Sequence, residues 1–120
     1  MKLQDKLDSL PKTIPLDAAC FKATSVTEFL RARYDQLKRD HDFSHRQFAR
    51  LGGFGSPNYL KMVADGLRPL TVDAFPQFCR GLLLSPEGVK VLGVLLREKQ
   101  LDVVDAVVGY TSATTVTEAA

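Results

Sequence analysis

Apolar residues recur along the middle of this chain in three- and four-residue steps, the spacing that puts them on one side of a helix. Val26, Phe29, Leu30, Tyr34 and Leu37 form the first such stripe, and Ser25-x-x-Glu28 ahead of it is a capping box. Arg31, Lys38 and Arg39 fall off the stripe, placed either to flank a phosphate backbone or simply to stay solvated. After a polar connection, Asp40-His41-Asp42, a second helix has its own start signals. Ser44 is the cap, Gln47 the box partner, and Phe43 can staple onto Phe48. Phe48, Ala49 and Leu51 are its inward face, while His45, Arg46 and Arg50 point elsewhere. Gly52, Gly53 and Gly55 break it and Phe54 between them plugs the core, before Ser56-Pro57 restarts a helix that Gly66 stops.

Further on, Leu67 and Leu70 read as core contacts from a loop, followed by a helix from Asp73 with Pro76 in its first turn and Val72, Phe75, Phe78, Cys79 and Leu82 inward. Ser85-Pro86-Glu87 opens another helix, apolar almost all the way round through Val89, Val91, Leu92, Val94, Leu95 and Leu96. Leu101, Val104, Val107 and Val108 add a further helical stripe, broken by Gly109. A small domain has little interior for so much apolar helix, so Leu92, Leu95, Leu96, Val104 and Val108 are expected at a homodimer interface; packing back on the chain's own first helix is the alternative. At the N-terminus, Leu3, Leu7 and Leu10 have helical spacing up to Pro11, and an extended link runs through Pro15. Residues 1–21 are therefore expected as a frayed or loosely docked arm, or as a segment that packs on a partner, 22–110 as the folded domain and 111–120 as a disordered tail. The fold class is all-α, a compact bundle of about five helices.

Two short helices meeting at a glycine-rich corner, FSHRQFARLGGFGSPNYLKMVADG from Phe43 to Gly66, have the layout of a helix-turn-helix. This run resembles the phage-repressor (Cro/C1-like) helix-turn-helix. With FLRARYDQLK ahead of it and LRPLTVDAF behind, residues 26–96 look more closely like an uncharacterised family from predatory and fibre-degrading bacteria. In that family such a unit precedes a larger helical C-terminal domain, and the resemblance implies a transcriptional regulator. The corner GGFGSP is one residue longer than the usual repressor turn, and the chain ends where the larger domain would begin.

Length and composition fit one soluble domain: 120 residues, 45% hydrophobic and 25% charged. No apolar run approaches the ~20 residues of a membrane span, and no signal-peptide pattern opens the chain, so no membrane association and a cytoplasmic location are expected. Cys20 and Cys79 make neither a disulfide framework nor a metal spacing, and His41 and His45 lack further ligands. No catalytic set and no phosphate loop is identifiable, since GGFG follows a helix and not a strand; neither an enzyme nor a cofactor is expected.

Net charge is only +2, but it is unevenly spread. Residues 22–80 hold ten Lys/Arg against six acids, whereas 81–120 hold three against five. The positive part coincides with the helix-turn-helix, as binding to double-stranded DNA requires. On the second helix of the motif, Asn58, Lys61 and Asp65 share an outward stripe, while the inward stripe is either Tyr59, Met62 and Val63 or Leu60, Val63 and Leu67. Asn58 suits adenine, Lys61 guanine, and Ser56 at the helix start a phosphate. His45, Arg46, Arg50 and Arg68 complete the expected DNA-binding set. The function expected is a dimeric DNA-binding regulator. The alternative is an adaptor that docks a protein partner through its N-terminal arm or its apolar C-terminal helices.

Overall fold

A computed structural model describes residues 10–108, with side chains through Glu98. It is all-α: among the described residues there are six helices and no strand, only an isolated parallel bridge between Ile14 and Leu84. The helices are α1 (Ala18–Lys22), α2 (Val26–His41), α3 (His45–Gly52), α4 (Tyr59–Ala64), α5 (Phe75–Gly81) and α6 (Pro86–Val108). Helix α2 is the hub, packing against α1, α4 and α6, while α3 packs on α4 and α5.

The stripe expected on α2 is the one that turns inward: Val26, Phe29, Leu30 and Leu37 are buried and Tyr34 is half-buried. Ser25 caps its start, accepting from the Glu28 N–H at 3.1 Å. Its end is Asp42 in the left-handed region at φ 53°, a conformation that Asp tolerates better than most residues. Between Phe29 and Leu37 the same stripe carries Arg33, fully buried, and Gln36, nearly so.

Arg33 explains why the N-terminal arm is no loose appendage where it is described. Its Nη2 donates to the carbonyls of Ile14 (2.7 Å) and Leu83 (3.0 Å), Nε to Leu82 (3.0 Å), and Nη1 to Pro15 (3.1 Å) and to Gln36 Oε1 (2.8 Å). Gln36 Nε2 donates to Pro15 O as well, at 2.8 Å. One guanidinium thus ties the arm to the turn between α5 and α6, where the Ile14 N–H also donates to Leu83 O at 2.9 Å. Leu83 sits there at φ 55°, a strained value for a branched-chain residue that these bonds hold in place. Ile14, Leu16 and Cys20 are core residues, and α1, a short helix the periodicity did not suggest, is capped by Asp17, whose Oδ1 accepts from the Cys20 N–H at 3.0 Å. Leu3 and Leu7 lie outside the described residues, as does the tail 111–120.

The C-terminal stretch departs from expectation in two ways. It is a single 23-residue helix with no break between the two apolar stripes. Leu92, Leu95 and Leu96, expected at a dimer interface, are buried in the chain's own core, because the arm, α2 and α5 together offer more interior than α3 and α4 alone would. Val104 and Val108 lie where side chains fall outside the described residues. Val72, expected inward, is exposed, because α5 starts at Phe75 and not at Asp73; Thr71 Oγ1 accepts from the Ala74 N–H at 3.1 Å and Pro76 remains in the first turn.

Candidate nucleic-acid interface

The α3–α4 unit is set from both ends. At the entry the full capping box forms, with the Gln47 N–H donating to Ser44 Oγ (3.2 Å) and the Ser44 N–H to Gln47 Oε1 (2.8 Å). Phe43 and Phe48 are both buried, and Ala49 beneath them is covered too. At the exit Gly53 takes φ 76°, and the Phe54 N–H returns to Ala49 O at 2.8 Å. The Phe54 ring then lies back on Phe48 (5.2 Å between centroids), Tyr59 (5.0 Å) and Phe78 (5.3 Å), so the corner closes over an aromatic cluster shared by three helices.

Helix α5 holds that corner from below. Gln77 Nε2 donates to Gly52 O at 3.1 Å, and Gly52 leaves room for it, since a Cβ there would stand 2.8 Å from Gln77 O. Gly81 does the same from the α5 side, where an added Cβ would meet the Phe48 ring at 2.7 Å. The two helices approach this closely only because both contact positions are glycine.

Helix α4 begins later and is shorter than expected. Ser56 does not cap a helix; its Oγ accepts from the Asn58 N–H at 3.2 Å in a tight turn, and the helical residues start at Tyr59. The inward residues are Leu60, Val63 and Ala64, with Tyr59 and Met62 half-buried. The Leu60 stripe is thus the correct one, but it stops before Leu67, which is 75% exposed. The reason is local. Gly66, at φ 79°, donates to Val63 O (3.1 Å) and Leu67 to Met62 O (2.9 Å), the paired bonds of a Schellman termination that swings Leu67 outward. Leu70, by contrast, is buried as expected.

Ser56, Asn58, Lys61, Arg46, Arg50 and Arg68 are all exposed, and His45 is half-buried. Arg46 and Arg50 stand one turn apart on α3, and neither has an ion partner among the described residues. Lys61 does have one, since its Nζ lies 3.0 Å from Asp65, whose carboxylate also faces Arg31 at 3.8 Å. Arg68 is set over the face of Tyr59 at 5.2 Å.

His45 stacks on Tyr34 with 4.2 Å between centroids and shares with Lys61 and Asp65 the wall of a half-open pocket of about 310 Å³ between α2, α3 and α4. Burial, and then the charges of Lys61 and Lys38, hold the imidazole below its ordinary pKa despite Asp65 nearby. His41 and His45 gather no third ligand, and no group of three or more His, Cys, Asp or Glu comes together among the described residues.

Two participants escaped the sequence reading. Arg33 is one of the ten Lys/Arg in the positive stretch 22–80, yet it lies on the apolar stripe, four residues from both Phe29 and Leu37, a register that marks it for burial. Gln77 had no such signal, because its partner is a backbone carbonyl 25 residues earlier.

No family model matches the chain, and no curated protein or solved structure matches it. Among the described residues, no helix is long and apolar enough to cross a membrane.

Proposed function

We propose that this chain is a cytoplasmic DNA-binding regulator of helix-turn-helix type that works as a dimer. Helix α4 and the turn ahead of it enter the major groove, where Asn58 and Lys61 meet base edges, while Arg46, Arg50 and Arg68 hold the flanking phosphates. What carries the proposal is one observation: α3 and α4 are fixed against each other by a buried aromatic corner, while the residues they leave outside are polar and basic. Such a rigid, outward-charged pair suits a groove better than an apolar cleft does. Lys61 reaches a base by exchanging its exposed Asp65 pair, a contact whose loss costs under about 1 kcal/mol.

That same carboxylate favours a second reading. Asp65 partly neutralises both Lys61 and Arg31, which makes the face of α4 less positive than its cation count suggests, and the fold then serves as an adaptor for a protein partner.

Fluorescence anisotropy with a generic duplex at two salt concentrations separates the two. The DNA reading expects binding that weakens steeply with salt and falls in Lys61→Ala and Arg50→Ala. Unchanged affinity in both variants sinks it, and no binding at low salt selects the adaptor.

A further inference from the structure

While one side of α6 is buried through Leu92, Leu95 and Leu96, the opposite side exposes Val94, 55% accessible, between two shallow grooves. The first, about 300 Å³, is lined by Ala23, Lys90, Val91, Val94 and Leu95. The second, about 200 Å³, is lined by Val72, Phe75, Gly93, Leu96 and Arg97. Val94 is thus an apolar ridge with an apolar furrow on either side, which is the surface that helix-on-helix packing uses.

We propose that a second copy of this chain covers this face, its α6 antiparallel to the first about a two-fold axis at Val94. The choice of occupant comes from charge. In an antiparallel pair centred on Val94, the residue one turn before it in one copy lies opposite the residue one turn after it in the other. Lys90 then meets Glu98, and the symmetry makes the pair twice. Both side chains are exposed, and neither has an ion partner among the described residues. A parallel arrangement would instead oppose Lys90 to Lys90 and Glu98 to Glu98. Leu92 is no part of this face, and Leu95 and Leu96, buried in the chain's own core, reach it only at the walls of the two grooves. The pairing deepens the DNA-binding reading and rests on it for its purpose, the joining of two motifs, though not for its test.

The test is sedimentation equilibrium of the full chain, with thermal melts to confirm that each variant is folded. The wild type is expected to show a monomer–dimer equilibrium. Lys90→Glu and Glu98→Lys each place two like-charge contacts at the interface and weaken dimerisation about tenfold, while the double reversal restores it to near the wild-type constant. Val94→Lys, at an exposed position, gives a folded monomer. A wild type that is monomeric at every concentration overturns the proposal, as does a dimer indifferent to both single reversals and to Val94→Lys. Lys61→Ala leaves the dimer intact whatever it does to DNA affinity, so failure of the DNA reading and failure of the interface are seen separately.

Discussion

Arg33 shows how much a single residue can organise when its charge is buried without a carboxylate. It is saturated by four backbone carbonyls and an amide oxygen, and burial lowers the pKa of its guanidinium, which is nonetheless protonated at any working pH. Its five fixed donors match acceptors arriving from three directions, a geometry that Lys cannot copy. Removing it strands the Ile14 and Leu82 carbonyls in the core, and each such orphan costs about 1–3 kcal/mol. Arg33→Met is therefore expected to lower stability by about 3 kcal/mol or more, and Arg33→Lys by less. Denaturant titration followed by circular dichroism checks this, and a loss within error of zero for both would show that water, not the guanidinium, satisfies these carbonyls.

The helices were legible where local rules decide them, and the connections were not. The cap at Ser25, the capping box at Ser44, the stripe of α2, the plug at Phe54 and the proline start of α6 follow from residues within a turn of one another, although the Glu28 carboxylate closes on Thr24 and not on the Ser25 N–H. The misjudged positions depend on partners distant in sequence or on turn chemistry. Leu67 was thrown outward by a Schellman bond pair, α4 was shortened by a serine turn, and α1 forms because Arg33 brings the arm alongside α2. Around the candidate site, the outward placement of Asn58, Lys61, Arg46 and Arg50 was legible from helical register, but Asp65's hold on Lys61 and Gln77's on the corner were not foreseen.

At this scale the tightest constraint is the α3–α5 crossing. Gly81→Ala is expected to cost about 1–3 kcal/mol, because the new Cβ presses on the Phe48 ring and lies 3.0 Å from Phe48 O, which as backbone cannot rotate away. Gly55→Ala, where a Cβ meets nothing within 4 Å, is the matched control and should be near neutral. Equal melting temperatures for the two variants would mean that α3 and α5 can slide apart freely.

For the molecule as a whole, the question is whether the arm opens independently of the bundle or only with it. Cys20 reports on this directly. Its thiol is fully buried between the arm and α2, its Sγ 3.5 Å from Gln36 Oε1, and burial, reinforced by Asp17, pushes its pKa up to about 12. Reaction with a thiol reagent needs both exposure and ionisation, so the native state is doubly protected. Cys79, with a pKa raised to about 11 by burial, is also slow but would confuse the readout, and a Cys79→Ser background removes it. If the arm is part of the cooperative core, the opening free energy obtained from Cys20 labelling equals the global unfolding free energy from denaturant titration. The shared contacts of Arg33 with the arm and with the α5–α6 turn predict this equality in the wild type. In Arg33→Lys the arm keeps only the Ile14 N–H bond to Leu83 O as its joint with that turn, while α2, α3 and α5 keep their contacts. Labelling is then expected to become cheaper than global unfolding. A wild-type labelling energy already well below the global value would mean that the arm is a separately opening strap, held by Arg33 but not needed by the bundle beneath it.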